Sequence, residues 1–480
     1  MSILTIENPT RVHLKLIILH FKDKNPRRVK RHFNLDATLM TTFFAFILLS
    51  GCFEIKSQSL FESATDNNSQ EKKKSYELNG FIRGLYYFGE NEENRLDTKS
   101  GYGEAALKIL IDKEKYGKAY ADIRYRSGFE YGNYKNELIV KEAYVNTRFF
   151  KILELSVGQQ IIAWGRADGI NPTDIITPKN YILRTPDYDD TREGNFIINP
   201  KLNLSSKLTV SGIFIPVYKS HVISFEIAEL PDEVAYKRGV TSEGVIENSS
   251  YAVKVDFIFP GFDGSLSYFN GYALNPGLVF GTPVYDTSGN YQIDILSGIY
   301  KHQMIGCDFS TSVNKTGLRG EIAYKITKQY KNNNFVPFPE IEYVIGFDRV
   351  FNNFSITGQY IGKYIPDFEE LTTPTDPLLL FNYQENYYNR LIASQTHGYI
   401  SMVSLRPAME FKYNTIKSEI FGLYNLSTKE AVIMPKLTIQ LTDALDIYIG
   451  GDLYYGKENT LYNLIATSYN SVFIGSKATF

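Results

Sequence analysis

The sequence predicts an all-β fold in the form of a single antiparallel β-barrel of about 18 strands, with 16 strands as the alternative. Three observations favour this fold. Apolar and polar side chains alternate along segments of about 10–13 residues. Beyond the N-terminal region, no stretch contains the run of about 18 apolar residues that indicates a membrane-spanning helix. The connections between the alternating segments are short and long in turn.

The alternation follows the period of a β-strand, in which successive side chains point to opposite faces. In 118–126, Ile123 and Tyr125 share an apolar face, whereas Arg124 and Arg126 share the polar one. The same pattern appears in 317–327, 340–348 and 445–454. A soluble antiparallel sheet alternates in the same way. The large number of such segments, without helices to cover them, favours a closed barrel that is apolar outside and polar inside.

The predicted barrel occupies residues 76–480 and is the one folded domain expected in the chain. Its strands are predicted at 76–88, 101–112, 117–129, 137–149, 152–163, 194–203, 207–216, 249–259, 264–273, 299–312, 317–328, 338–349, 354–364, 396–411, 415–426, 430–441, 445–455 and 470–480.

Connection lengths and the last strand carry independent information. Tight turns alternate with the long connections 164–193, 217–248, 274–298 and 365–395. Short turns at one end and long loops at the other are typical of bacterial outer-membrane barrels, with the long loops outside the cell. The last strand ends at Phe480, on its predicted lipid face. A terminal aromatic residue resembles the assembly signal of such barrels, which predicts the barrel-assembly machinery as a partner.

The N-terminal residues 1–59 are predicted to be a leader. Leu39 to Gly51 is apolar over about a dozen residues, which suits a signal-peptide core and is too short for a spanning helix. The tract before this core is long, so the start is either Met1 or Met40. Residues 60–75 are polar and are predicted to be a disordered lead-in.

Two cleavage sites of the leader stay open. Leu49-Ser50-Gly51-Cys52 resembles a lipobox, in which Cys52 would be lipidated and become the new N-terminus. A competing site for ordinary signal peptidase lies at Ser57-Gln58-Ser59, where the residues are small.

Composition excludes several other classes of protein. The 51 Lys and Arg residues balance 53 Asp and Glu residues, so no basic excess indicates a nucleic-acid partner. The two cysteines, Cys52 and Cys307, cannot form a disulfide scaffold or a cysteine-based zinc site. No motif of a hydrolase, a metalloprotease or a phosphate-binding loop is present. We therefore predict no catalytic residue, no metal and no cofactor.

Part of the sequence resembles a known group of proteins. The stretch from Val157 to Arg166, continued from Asp168 to Asp174, resembles a family of largely uncharacterised bacterial outer-membrane barrels related to porins and polysaccharide-export barrels. Weaker similarities follow at 214–218, 317–324 and 359–362. The resemblance spans most of the mature chain. It implies a barrel in the outer membrane and implies no particular substrate.

The connection 164–193 is the strongest candidate for a functional site, because it is long, rich in both charge signs and stiffened by the turn formers Asn171-Pro172 and Thr177-Pro178. The residues predicted at a pore constriction are Trp164, Arg166, Asp168, Asp174, Arg184, Asp189, Asp190, Arg192 and Glu193. In one hypothesis this connection folds into the barrel and places these charges at a constriction that filters solutes. In the other it stays outside, with Arg and Asp paired to keep it rigid.

The predicted inner wall carries both charge signs. Charged residues predicted to face the lumen include Arg124, Arg126, Glu142, Arg148, Arg319 and Glu321, and also Arg83, Glu104, Lys108, Lys254, Asp256, Lys325, Arg406, Glu410 and Lys436. Simple hydration and cross-strand pairing would explain such a wall without a dedicated binding site. The mixture predicts weak ion selectivity. Lys141 and Arg349 fall on predicted lipid faces, either near an interface or through a local shift in register.

These features predict an outer-membrane channel for passive or weakly selective diffusion of small hydrophilic solutes, in contact with the lipid bilayer. The alternative is a surface-exposed barrel with a plugged lumen, which acts as an adhesin through its long loops. An outer-membrane lipase or protease is a third hypothesis. A homo-oligomer is compatible with the sequence, but no feature marks its interface.

Overall fold

The computed structural model describes residues 75–480, with gaps at 92, 114–115, 151, 224–233, 238–245, 286–290 and 377–378. The predicted leader 1–59, Cys52 with its predicted lipidation, and all but the last residue of the lead-in 60–75 lie outside the described residues.

The described chain contains 22 strands and two α-helices, with two short 3₁₀ turns at Tyr188–Thr191 and Ile246–Asn248. The strands are β1 Tyr76–Glu90, β2 Leu96–Lys113, β3 Gly117–Glu130, β4 Asn133–Phe149, β5 Leu153–Gln160, β6 Asn195–Ser205, β7 Leu208–Ile215, β8 Val234–Lys237, β9 Ser250–Phe259, β10 Phe262–Tyr272, β11 Gly277–Phe280, β12 Val284–Tyr285, β13 Tyr291–Gly298, β14 Lys301–Val313, β15 Thr316–Thr327, β16 Glu340–Phe351, β17 Phe354–Tyr364, β18 Tyr399–Phe411, β19 Ile416–Asn425, β20 Glu430–Thr442, β21 Leu445–Tyr455 and β22 Ser471–Thr479. The helices are α1 Leu380–Ile392 and α2 Leu461–Tyr469.

Eighteen strands form one closed sheet in which every neighbouring pair is antiparallel. β1 pairs with β2 on one side and with β22 on the other, in a register that joins Phe81 to Thr479 and Phe88 to Val472. The first and last strands thus close the barrel and leave no free edge. The predicted fold and the preferred number of 18 strands are confirmed. The largest difference in bounds is at β2, which begins at Leu96 instead of residue 101.

The two faces of the barrel have opposite character. On β15 the side chain of Ile322 is 47% exposed on the outside, whereas its neighbour Ala323 is fully buried inside. On β3, Tyr125 is exposed outside while Arg124 and Arg126 are buried within the lumen. The predicted alternation is thus confirmed. Side chains of a strand point to the two faces of the sheet in turn, so a sheet closed into a barrel places every second side chain inside.

Lys141 corrects one prediction from the sequence. It was placed on the lipid face, but it is 3% exposed and its Nζ donates to two backbone carbonyls inside the barrel. The cause is a β-bulge opposite Asp122 and Ile123, where the pairing steps from Glu142 to Val140. One extra residue shifts the side-chain alternation by one position. Arg349 does lie on the outer face, close to the end of β16, with its guanidinium against the ring of Phe351.

The two ends of the barrel differ in their connections. At one end, which we call the turn end, eight connections of two to four residues join the strands. In the turn between β14 and β15, Asn314 and Lys315 have φ values of 49° and 66°, as expected for a two-residue turn whose twist matches that of the flanking strands. The opposite end, the loop end, carries the four long connections that the sequence predicted.

The loop end contains strands and a helix that were not predicted from the sequence. β11 and β12 pair with β13, which also pairs in parallel with β8, and α1 packs beside them. Buried Leu278, Ile293 and Ile295 form the apolar core of this unit, with Phe381 and Ile392 of α1 against it. The helices α1 and α2 were not predicted from the sequence, because both are short and lie in connections between barrel strands. None of the helices in the described part of the chain is long and apolar enough to cross a membrane.

Candidate functional site

The connection between β5 and β6, residues 161–194, lies inside the barrel, and we call it the inner loop. Its side chains contact inward-facing residues of strands far apart around the wall. Asp190 reaches Arg83 on β1, Arg166 reaches Asp308 on β14, and Arg184 reaches Asp452 on β21. A loop outside the barrel could not make all three contacts.

An apolar cluster anchors the inner loop to one side of the lumen. Trp164 is 4% exposed and Ile176 is fully buried, and both pack with inward-facing residues of β6, β10 and β14, namely Ile197, Phe269 and Met304. This part of the inner wall is therefore dry, in contrast to the water-filled wall that the sequence predicted. Burying these side chains against each other stabilises the loop by the hydrophobic effect.

The carboxylate of Glu321 on β15 holds the start of the inner loop. It accepts the N–H of Thr173 at 2.7 Å, the Thr173 hydroxyl at 2.8 Å, and the N–H groups of Arg166 and Ala167 at 3.0 and 3.3 Å. Gly165 makes this approach feasible. Its φ is 88°, and a Cβ there would lie 2.5 Å from Glu321 Oε2. Thr173 could not be predicted from the sequence as a partner of Glu321, because its shortest hydrogen bond to the carboxylate comes from its backbone N–H.

Two further ion pairs hold this part of the loop. Arg166 Nε donates to Asp308 at 2.6 Å, while the Arg166 carbonyl accepts from Arg319 at 3.1 Å. Asp168 lies 3.2 Å from Arg406 on β18. Arg166, Asp168 and Arg319 are thus predicted site residues that the structure brings together, and Arg406, on a strand three places from β15, is the partner of Asp168.

A charged cluster binds the far end of the loop to β1, β2 and β3. Asp190 lies 2.6 Å from Arg83 and 2.9 Å from Arg124, and Glu104 contacts both arginines and Arg126. Burial alone would raise the pKa of Asp190, but Arg83 and Arg124 outweigh it and hold the pKa well below its ordinary value. The carboxylate therefore stays ionised, as the buried cations around it require.

Lys141 holds the far end of the loop, and Asp174 joins the middle of the loop to that end. Lys141 Nζ donates to the carbonyls of Asp190 and Arg192, both at 2.5 Å. Asp174, whose side chain is almost fully buried, lies 2.7 Å from Arg192 and 3.5 Å from Lys179. Arg192 and Asp174 were predicted at a constriction. They form a buried structural pair instead of facing open water.

Arg184 joins the loop to α2. Its guanidinium lies 3.2 Å from Asp452 and donates to the carbonyls of Ser468 and Tyr469 at 2.7 and 3.0 Å. The rings of Tyr131 and Tyr469 lie 5.3 and 4.8 Å from the guanidinium carbon, within cation–π range. Arg184 is therefore a buried anchor of the loop.

His221, in the connection after β7, touches the inner loop from the loop end. The N–H of Lys179 donates to its Nδ1 at 2.7 Å. This bond requires that Nδ1 carries no proton. Burial, reinforced by the positive charge of Lys179, lowers the pKa of His221 to about 3. The imidazole is therefore neutral at ordinary pH and acts as an acceptor.

The remaining predicted residues fall into separate places. Glu142 lies under the loop and accepts the N–H of Ile161 at 2.9 Å. Glu193 lies 2.9 Å from Lys219 at the loop end. Arg148 pairs with Glu154 near the turn end, away from the inner loop. The predicted wall residues therefore do not form one ring.

A smaller set of charged side chains stays in contact with water within the lumen, and we call it the charged path. It consists of Arg166, Asp168, Asp187, Asp189, Arg319, Arg406 and Lys436. Asp189 is the most open, with a side chain 92% exposed, and the others are partly exposed. The set contains four cations and three anions, and the partly exposed carboxylates of Asp348 and Glu419 pair with Arg319 and Lys436, so neither sign dominates.

No model of a protein family and no curated protein sequence matches the chain. The structure is similar to that of OccAB4 of Acinetobacter baumannii, with a TM-score of 0.51 and 11% identity over 86% of this chain and 100% of that one. OccK5 (OpdH) of Pseudomonas aeruginosa aligns over 85% and 97% of the two chains, with 10% identity and a TM-score of 0.49.

The likeness to OccAB4, at 11% identity, concerns the fold. OccAB4 is an outer-membrane porin, so it does not support the relation to polysaccharide-export barrels that the sequence resemblance suggested. The alignment with the closed 18-strand barrel of this chain covers the whole of OccAB4. The chain therefore has the fold of bacterial outer-membrane porins.

Proposed function

We propose that the protein spans the bacterial outer membrane and forms a channel through which small hydrophilic solutes diffuse passively. The observation that carries this proposal is the charged path, a set of partly exposed charges enclosed by a barrel whose outer face is apolar. An apolar outside suits lipid, and a hydrated inside suits polar solutes. The inner loop narrows the lumen in this proposal, since it contacts the wall on several sides.

The charge balance of the path supports weak selectivity. The path contains the cations Arg166 and Arg319 together with the anions Asp168 and Asp189, so an ion of either sign meets both attraction and repulsion. A single-sign ring would instead filter ions by charge. Export through the leader 1–59 and insertion by the barrel-assembly machinery complete the proposal, and exposed Phe480 at the end of the closing strand supports the second step.

Bilayer conductance tests the proposal. Full-length protein refolded into a planar bilayer should give steady ohmic steps with little preference between K⁺ and Cl⁻. Arg166→Ala should raise the permeability ratio of K⁺ to Cl⁻ by about twofold, because one cation leaves the path. Arg349→Ala is the matched control, since Arg349 lies on the outer face. Equal selectivity of all three proteins would exclude the inner loop as the constriction.

A plugged barrel that acts as an adhesin is the second candidate. The observation that favours it is the ordered unit of β8, β11, β12, β13 and α1 at the loop end, which presents folded structure to the outside. The same refolded protein distinguishes the two functions. A plugged barrel gives no conductance steps in the bilayer, whereas a channel does.

A further inference from the structure

A cavity of about 310 Å³ lies on the loop-end side of the inner loop, and we call it the loop-end cavity. Its walls come from the inner loop, from β15, β16 and β17, and from the end of α1. None of the seven residues of the charged path lines it. Its volume falls at the lower end of the range of small-molecule sites, about 300–1,000 Å³. The cavity is thus a separate feature that a solute entering from the loop end would reach.

The charges that line this cavity cancel. Equal numbers of cations and anions belong to its lining, namely Lys179, Lys325 and Lys363 with Asp174, Glu340 and Glu342. Lys325 Nζ lies 2.7 Å from Glu342 and 3.0 Å from Glu340, and Lys363 lies 3.1 Å from Glu340. Because each charge already has a close partner of opposite sign, the cavity holds no unpaired charge for an ionic ligand. It does offer fixed donors and acceptors side by side.

Two aromatic rings supply flat surfaces in the same cavity. Tyr181 and Tyr188 of the inner loop both line it, and they are 39% and 47% exposed although they lie inside the barrel. The ring of Tyr181 is held edge-on by His221 at 5.1 Å, and Lys179 Nζ lies 5.3 Å from the ring of Tyr188. An aromatic face that is held in place and wet can stack against an apolar face of a solute.

Two polar atoms of the cavity lining lack a partner. Asn171 Oδ1 and His302 Nδ1 are buried and have no hydrogen-bond partner among the described residues. Buried polar atoms without partners cost free energy, so such atoms are rare in folded proteins. Both atoms have almost no accessible surface, so they lie behind the lining and not at its face. A hydroxyl group can both donate and accept, and therefore suits the paired Lys and Glu side chains of the lining.

We propose that the loop-end cavity is a binding site for a neutral polyhydroxylated solute of monosaccharide size. Balanced charges exclude a preference for ions, the two tyrosines provide stacking faces, and the mixed donors and acceptors match a ring of hydroxyl groups. The role of the site in uptake rests on the proposed channel function, since a solute held here would then pass the charged path. Binding itself does not depend on conductance.

The experiment uses refolded full-length protein in detergent and the intrinsic fluorescence of Trp164, the one tryptophan of the chain. Asn171 donates to the backbone carbonyl of Trp164 and Asp174 accepts the backbone N–H of Trp164, so the backbone of this residue is bonded to two residues that line the cavity. The probes are glucose, glycerol, succinate and putrescine, with calorimetry as a second readout. Glucose should bind, and the two charged solutes should bind at least tenfold more weakly.

Variants of one tyrosine separate stacking from folding. Tyr181→Ala should weaken glucose binding at least tenfold, whereas Tyr181→Phe, which keeps the ring, should bind within about twofold of wild type. Tyr413→Ala is the matched control, because Tyr413 is fully exposed at the turn end. Succinate or putrescine binding tighter than glucose, or unchanged glucose affinity in Tyr181→Ala, overturns the proposal.

Conductance of the same preparations distinguishes this proposal from the channel function. Glucose binding by a protein that gives no conductance steps supports the site and contradicts the channel. Ohmic steps from a protein that binds no glucose support the channel and overturn the site.

Discussion

Arg83 on the first strand donates to Asp190 of the inner loop across 2.6 Å, and both side chains are largely buried inside the barrel. The two residues are 107 positions apart in the sequence. Their contact joins the loop to the wall next to the seam where β1 meets β22. The position of the loop therefore depends on both charges, because removing one charge leaves the other buried without its partner.

Asp190→Asn should therefore destabilise the protein by roughly 3 kcal/mol and loosen the inner loop, because Arg83 and Arg124 lose their shared carboxylate. Unfolding in urea with refolded protein measures the loss. Asp189→Asn is the matched control, since this neighbouring side chain is 92% exposed and its removal should cost less than about 0.5 kcal/mol. Equal stability of the two variants would contradict a structural role for the cluster.

Gly165→Ala should displace the start of the inner loop. An added Cβ would meet the Glu321 carboxylate at 2.5 Å, in addition to the cost of a positive φ for alanine. We expect a loss of about 2–3 kcal/mol and a red shift of Trp164 fluorescence as the indole becomes exposed. Gly169→Ala is the control, since Gly169 has a similar φ of 82° but no atom near its Cβ position. It should cost about 1 kcal/mol without the red shift.

His221 should make the loop end sensitive to acid. Its pKa in the folded protein, about 3, lies below the ordinary value of 6.5, so the folded state binds fewer protons than the unfolded state between these values. Stability from this group is complete above pH 6.5 and is lost as the pH falls towards 3. Thermal unfolding at pH 7.5 and pH 4.5 measures the loss, which we expect to be about 2 kcal/mol.

His221→Asn should remove most of this acid sensitivity, because the Asn oxygen can accept the Lys179 N–H without titrating. His397→Asn serves as control, since His397 is exposed in another connection at the loop end. The interpretation fails if wild type and His221→Asn lose the same stability on acidification.

Cysteine labelling should report the two faces of the barrel. Cys307 is exposed on the outer face of β14, while the next residue, Asp308, is buried within the lumen. In a bilayer, Cys307 of a Cys52→Ser protein should react with an apolar maleimide and not with a charged thiosulfonate. Lys417→Cys, combined with Cys307→Ser, should react with the charged reagent, because position 417 faces the lumen near the turn end. The reverse pattern would mean that the faces are exchanged.

Much of the barrel was predictable because its signals are local. Alternation of side chains, as on β3 and β15, follows from strand geometry alone. Tight turns such as Asn314-Lys315 follow from the backbone conformations that two-residue turns require. The order of neighbours then follows from connection length, because a two-residue turn can only join adjacent antiparallel strands.

The position of the inner loop could not be predicted from local sequence patterns. Its composition marked it as a candidate, but two alternatives stayed open, since Arg and Asp residues can pair with each other or with a distant wall. Thr173 and Gly165 carried no signal, because their contribution is a backbone donor and the absence of a side chain. Lys141 was misplaced, because a bulge depends on how two strands meet and not on either strand alone.

The sequence by itself determined a rolled sheet with an apolar outside and a polar inside, because each strand encodes its own two faces within a few residues. Only the tertiary structure decided that the inner loop folds into the lumen, which charges are buried in pairs and which remain wet. Those choices depend on contacts such as Arg83–Asp190 and Arg184–Asp452. Such contacts exist only after strands distant in the sequence have closed around the loop.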